Sequence, residues 1–275
     1  TPYSSSNMWV VNSGNTNNSS AAYAVGVRPS INLKTNIKIA SGDGTLNNPY
    51  RLNGDNDANL SGTLLNTRYS GEYIKFGTGE NTLYRIVSHE TPGLTKITSA
   101  TPLKSSGTFI TSEFGNNITF TSNNIIGQFL NNDYLNPVSG YLTSEEVNMI
   151  EDNTTWYFGT VGDGISYKLA KYTAVTGNTL TSNISQAKVG LLRLGELMAG
   201  QFNNENNNSS YWTLTPYSTS SMWIMINVGN ASRYGYASSS SSSTNGISPA
   251  LNLKENVIIT SGDGTKENPF EIALQ

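Results

Sequence analysis

The 275-residue chain has no cysteine and one histidine, His89. The first absence excludes disulfides, thiolate nucleophiles and cysteine-bound zinc, and the second excludes metal sites built on imidazoles, so no metal site of that kind and no cofactor is expected. A Ser-His-Asp triad would have to use His89, yet Ser88-His89-Glu90 runs into a Pro92-Gly93 turn and reads as a surface loop. Charge is also scarce. Asp, Glu, Lys and Arg make up 13% of the chain, about half the usual share. The net charge is −3, and the 16 Lys and Arg are spread thinly. Without a basic stripe to neutralise phosphates, nucleic acid is not an expected partner. No apolar run approaches the roughly 18 residues of a membrane span, and no glycine-rich phosphate loop is present.

Amides and hydroxyls take the place of the missing charges. Disorder is not expected, because 15 Tyr, 8 Phe and 4 Trp sit in alternating runs that favour strands. The dominant feature is a repeat. Thr1-Pro2-Tyr3-Ser4 returns as Thr215-Pro216-Tyr217-Ser218, and Met8-Trp9 as Met222-Trp223. Ser41-Gly42-Asp43-Gly44-Thr45 with Asn48-Pro49-Tyr50 returns as Ser261-Gly262-Asp263-Gly264-Thr265 with Asn268-Pro269-Phe270. The offset is 214 at the front and 220 at the back, which predicts a six-residue insertion in Ser238–Ser243. The organisation expected is the C-terminal part of a preceding unit over 1–52, a polar linker over 53–62 and a complete unit over 63–275.

The element pattern is strands, then helices, then strands, without βα alternation, which predicts α+β with antiparallel sheets. Strands are expected at Met8–Val11, Ile37–Ile39, Tyr73–Phe76, Thr82–Ser88, Leu94–Thr98, Trp156–Phe158, Val189–Leu192, Tyr211–Leu214, Met222–Val228 and Val257–Thr260. A helix is expected over 122–135, capped by Ser122 or Asn123, and a second after the capping box Thr143-Ser144-Glu145-Glu146. A third short helix is expected over Leu194–Ala199. Trp156, Phe158, Leu191, Leu192, Trp212, Leu214 and Trp223 are the expected shared core.

Carboxylates at Glu145, Glu146, Glu151 and Asp152 read as helix-start residues, with a glycoside-cleaving pair as the remote alternative. Asp55, Asp57 and Asn59 match the first positions of a calcium loop, but Leu60 and Asn66 stand where Gly and a bidentate Glu are needed. The segment from Tyr217 to Asn245 combines Tyr217, Trp223, Asn227, Asn230, Arg233, Tyr234 and Tyr236 with Ser and Gly, the composition of adaptable binding loops. It reads either as a ligand-binding surface or as polar filler. In the front copy, Met8, Trp9, Val11, Ile31, Leu33, Ile37 and Ile39 form an apolar set that needs a covering surface, because an isolated hairpin is marginal in water.

Several segments together resemble the C-type-lectin-like fold of bacterial surface proteins, in the branch shared by formylglycine-generating enzymes and the variable proteins of diversity-generating retroelements. They are Tyr73-Ile74-Lys75-Phe76-Gly77, Leu83-Tyr84-Arg85-Ile86, Val189-Gly190-Leu191-Leu192 with Glu196-Leu197, and Tyr211-Trp212-Thr213-Leu214-Thr215-Pro216. The closing motif is Gly246-Ile247-Ser248-Pro249-Ala250-Leu251-Asn252-Leu253, with Gly26-Val27-Arg28-Pro29-Ser30-Ile31-Asn32-Leu33 in front. The enzymes of that branch need cysteines or metal that this chain lacks, and Ser248 replaces the closing arginine. The resemblance implies two or three short helices and a non-enzymatic protein of the bacterial cell surface. The expected partners are neighbouring copies or adjoining repeats, joined head to tail, or a host or cell-surface protein or glycan.

Overall fold

The structure, a computed structural model, describes residues 5–12, 15–20, 22, 31, 33, 37–41, 43–45, 50–54, 59–159, 161, 184–200, 209–228, 231–238 and 244–275. The chain divides into two compact units, Thr1–Lys34 and Thr35–Gln275. In the first, β1 (Asn7–Asn12) and β2 (Asn15–Ser20) form an antiparallel hairpin, with Met8 opposite Ser19 and Trp9 opposite Asn18.

The second unit opens with another hairpin, β3 (Ile37–Ser41) and β4 (Arg51–Gly54). Asn53 and Gly54, assigned to the linker by their polarity, pair with Lys38 and Ile37. Backbone pairing needs no apolar side chain, so polarity hides this strand. A meander follows: β5 (Tyr73–Lys75), β6 (Leu83–Ser88) and β7 (Thr95–Ser99), then the small hairpin β8 (Lys104–Ser105) with β9 (Thr108–Phe109), and β10 (Thr111–Ser112).

The expected helix over 122–135 is shorter and changes form. Asn124 caps it, accepting from the Gly127 N–H at 3.0 Å. After α1 (Ile125–Gln128) the chain widens into a π turn over Phe129–Asp133. Asn131 explains the change. Its Nδ2 donates to the Gly127 and Val189 carbonyls, and its Oδ1 accepts from the Val189 N–H. A side chain taking the carbonyl four residues back loosens the helical ladder there. In α2 (Ser144–Met149) the capping box forms as expected, with Thr143 and Glu146 exchanging hydrogen bonds.

Next come β11 (Thr154–Tyr157), β12 (Ile184–Ala187), β13 (Val189–Leu191) and α3 (Leu194–Gly200). The chain then runs through β14 (Ser210–Ser218), β15 (Ser221–Val228), β16 (Ala231–Ser238), β17 (Asn245–Gly246) and β18 (Pro249–Leu253). It closes with the hairpin β19 (Val257–Ser261) and β20 (Glu271–Leu274). Among the described residues, two five-stranded sheets form, in the orders β13-β18-β7-β6-β5 and β10-β17-β14-β15-β16. Among the described residues, pairing is antiparallel except where Tyr211 meets Gly246 and at the Ile74–Phe270 bridge. The chain is α+β, with antiparallel sheets and few short helices.

Trp156, Phe158, Leu191, Leu192, Trp212 and Leu214 are buried in one core, and Trp223 packs against it half-buried. The Trp212 indole donates to the Ser112 carbonyl at 2.7 Å and meets Phe114 edge-on. Ser248, standing in place of an arginine, is buried and hydrogen-bonded to the Ser99 hydroxyl at 2.8 Å.

Candidate assembly surface

The two hairpins β3–β4 and β19–β20 are copies at the level of the backbone. Ile37 faces Gly54 and Ile39 faces Leu52; Val257 faces Leu274 and Ile259 faces Ile272. Each has its register shift at the same place, between Ile39 and Ser41 in one and between Ile259 and Ser261 in the other. In each turn an aspartate accepts from the backbone N–H two residues on, Thr45 to Asp43 and Thr265 to Asp263, both at 3.0 Å. Gly44 and Gly264 have φ of +80° and +78°, the left-handed region that favours glycine. A Cβ on either would meet the aromatic ring of the turn, Tyr50 or Phe270, at 2.6 Å. The same backbone therefore seats the same ring twice.

Their surroundings differ completely. Ile39, Tyr50 and Leu52 are 58%, 52% and 49% exposed, whereas Ile259 and Phe270 are at 0% and Ile272 is half-buried. Met8, Ile31 and Leu33 repeat the contrast: all three are exposed, while Met222, Leu251 and Leu253 are buried. Ile37 is half-buried against a fully buried Val257. The side chains of Trp9 and Val11 lie outside the described residues.

Residues 60–76 cover the second hairpin. Gly62 donates to the Ile259 carbonyl, and Ile259 donates to Thr63. Tyr73 donates to Gly264, Lys75 to Phe270, and Phe270 back to Tyr73, all within 2.8–2.9 Å. Arg68 lies over the Phe270 ring, 5.3 Å from its centroid, and is held by Glu72 in a buried ion pair at 2.6 Å. Lys75 closes the outer edge on Glu271 at 3.0 Å and, with the Ser261 hydroxyl, holds the Glu271 carboxyl below its usual range. Hydrogen bonds from the Thr265 side chain and backbone do the same for Asp263. Leu65 and Ile74 supply the apolar floor.

The other repeated pair, β1–β2 and β15–β16, matches with a change of length. The strands are six residues each in the first and eight in the second. Trp9 faces Asn18, whereas Trp223 faces Tyr236. Four of the six extra residues therefore lengthen the hairpin, and are not looped out within Ser238–Ser243 as the serine run suggested.

The residues proposed for ligand binding fall on this longer hairpin and the strand before it. Tyr217 and Trp223 are half-buried and meet edge-on, ring centroids 4.8 Å apart. The backbones of Asn227, Arg233, Tyr234 and Tyr236 belong to β15 and β16, but their side chains, and all of Asn230, lie outside the described residues, as do Asp55 and Asp57. A segment with the composition of binding loops is thus mostly regular hairpin. His89 is not an open loop residue. It is half-buried, with Nε2 2.7 Å from the Arg68 carbonyl and Nδ1 3.2 Å from that of Leu94. Of the four candidate carboxylates, Glu146 caps α2 and accepts from Gly77, Asp152 pairs with Lys188 at 2.9 Å, and Glu145 lies in the first turn of α2.

Sequence reading missed a buried charged cluster. Lys96 on β7 carries its ammonium between Glu90 and Glu196, the latter at 2.9 Å, with the Trp156 ring centroid 5.6 Å away. Glu196 also accepts from the Arg193 N–H at 2.9 Å. Burial alone would pull the lysine pKa down, but the two carboxylates outweigh it and raise it. No helix among the described residues is long and apolar enough to cross a membrane. The chain matches no family model, no curated protein and no solved structure.

Proposed function

We propose that this chain is a non-enzymatic structural protein of the bacterial cell surface, built from repeated C-type-lectin-like units that associate head to tail. One observation carries the reading: two hairpins of the same backbone, one seated by residues 60–76 and the other with its apolar side chains in solvent. A sequence keeps Ile39, Tyr50 and Leu52 in the pattern of buried twins when a like surface covers them, in an adjoining unit or a neighbouring molecule. The lectin-like part of the reading draws on the segments named above and on the meeting of the unit's ends, where Leu64 bridges Ile258 and Ile74 bridges Phe270. Low charge without cysteine suits an external wall protein.

The seat on residues 60–76 is already held by β19–β20 of the same chain, which wins by effective concentration. Weakening that hairpin should therefore let a neighbour's β3–β4 enter. The Phe270→Ala chain is expected to form larger species in light scattering, in proportion to concentration, and Phe270→Ala combined with Ile39→Asp is expected to stay monomeric. The two variants share the same damaged core, so non-specific aggregation would affect both. Equal association in both, or none in either, overturns the proposal.

A second reading, a module binding a protein or glycan, draws on the half-buried Tyr217–Trp223 pair beside β16, the last strand of its sheet among the described residues.

A further inference from the structure

Lys96 and Asn252 stand directly opposite each other on β7 and β18, neighbouring strands of one sheet. Opposed side chains project to the same face with Cβ atoms about 5 Å apart, well within the reach of a lysine. Both residues are buried at 3% exposure. The Trp156 ring lies over that face, packed on Gly190, which is itself paired with Ala250 on β18. The Asn252 amide is oriented by donating to the Thr154 hydroxyl at 3.2 Å. Glu196, also buried, holds the Lys96 ammonium at 2.9 Å. An amine, an amide and a carboxylate thus share a site from which bulk water is excluded.

We propose that Lys96 and Asn252 form an intramolecular isopeptide bond, with Glu196 as the proton carrier. Nζ passes one proton to the Glu196 carboxylate and attacks Cγ of Asn252 as a neutral amine. The new C–N bond forms, the bond from Cγ to Nδ2 breaks, and Nδ2 departs as ammonia with a second proton relayed from Nζ through the same carboxyl. Lysine ammonium, carboxylate and primary amide become a secondary amide, ammonia and a carboxylic acid. Atoms and charge balance, and no oxidant or cofactor enters. Glu90 and Glu196 hold the resting Lys96 as an ammonium, so the proton transfer to Glu196 comes first and is part of the barrier, and the carboxylate that receives the proton is already in contact with Nζ. A recess of about 140 Å³ lined by Glu90, Thr154, Tyr157 and Asn252 lies beside the amide and gives ammonia a way out. The bond would tie two central strands whose residues are distant in sequence, and it stands whether or not the chain assembles.

The test is the intact mass of the full chain, denatured after purification. One ammonia less than the sequence mass is expected, together with a branched peptide joining the segments around Lys96 and Asn252 after proteolysis. Lys96→Arg and Asn252→Ala should each restore the mass expected for their sequences, and Glu196→Gln should slow or abolish the loss. An asparagine that closes to a succinimide loses the same ammonia but leaves the peptides unbranched and the loss intact in Lys96→Arg; that result overturns the proposal. So does the full, unmodified mass of the unsubstituted chain, which needs no variant to fold.

Discussion

Identical truncations in the two copies of one hairpin should have very different costs. Phe270 is fully buried, with the Arg68 guanidinium over its ring and backbone hydrogen bonds to β5 on either side of it. Removing such a ring leaves a cavity and costs roughly 3–5 kcal/mol. Ile259→Ala, at a site with no exposed surface, costs about 2–5 kcal/mol by the same mechanism. Tyr50 and Ile39 occupy the same positions on the same backbone but stand more than half exposed. Their truncation removes mostly solvent-exposed surface and should fall within about 0.5 kcal/mol. In a domain of this size the buried pair should lower the melting temperature by roughly 10 °C and the exposed pair by no more than about 2 °C. The assay is thermal or urea unfolding followed by tryptophan fluorescence, at a protein concentration low enough to keep the chain monomeric. Comparable losses at Ile39 and Ile259 would mean that the front hairpin is covered within its own molecule. The contrast on which the assembly reading rests would then be gone.

Two further outcomes are expected. Gly190→Ala places a Cβ 2.6 Å from the Trp156 ring and should cost about 1–3 kcal/mol of unfolding free energy in denaturant titration, through overpacking of the face that carries Lys96 and Asn252. The Tyr84 and Tyr134 hydroxyls are buried and 2.6 Å apart, and burial pushes both phenol pKa values up. A raised phenol pKa means that the folded state keeps its proton where the unfolded chain loses it. Stability is therefore full below pH of about 10 and falls as pH rises further. Tyrosinate absorbance should appear together with loss of tertiary signal, and gradual titration of these two residues in a chain that stays folded would contradict it.

Legibility followed the physics of each element. The capping box at Thr143 was readable because all its parts lie within four residues. The strands around Trp156, Leu191 and Trp212 were readable because each carries a run of aromatic and aliphatic residues. The strand β16 was not: Ala231–Ser238 carries serine, arginine and glycine, and it is a strand because β15 offers it a ladder. The strand β18 begins at Pro249, which reads as a break; proline is tolerated at a strand's first residue, and here it opens a fully buried central strand. The shortened first helix depended on Asn131 finding Val189, a partner 58 residues away. The apolar set at the front was legible through the repeat, although which side chains stay exposed was not. The cluster of Glu90, Lys96, Trp156, Glu196 and Asn252 left no local trace, since its five members come from five separate segments and Lys96 looks like any other strand lysine.

The lengthening of β15–β16 relative to β1–β2 sets a rule for how such hairpins can vary. Side chains alternate between the faces of a strand, so a gain of one residue per strand turns every residue beyond the insertion to the opposite face. A gain of two per strand restores the original phase, and that is the difference between these two copies. Hairpins of this kind can therefore lengthen in fixed steps of four residues while Met8 and Met222 keep the same position in the strand. Hairpin length becomes a stepwise property, adjustable from one copy to the next without turning the side chains nearest its open end to the other face.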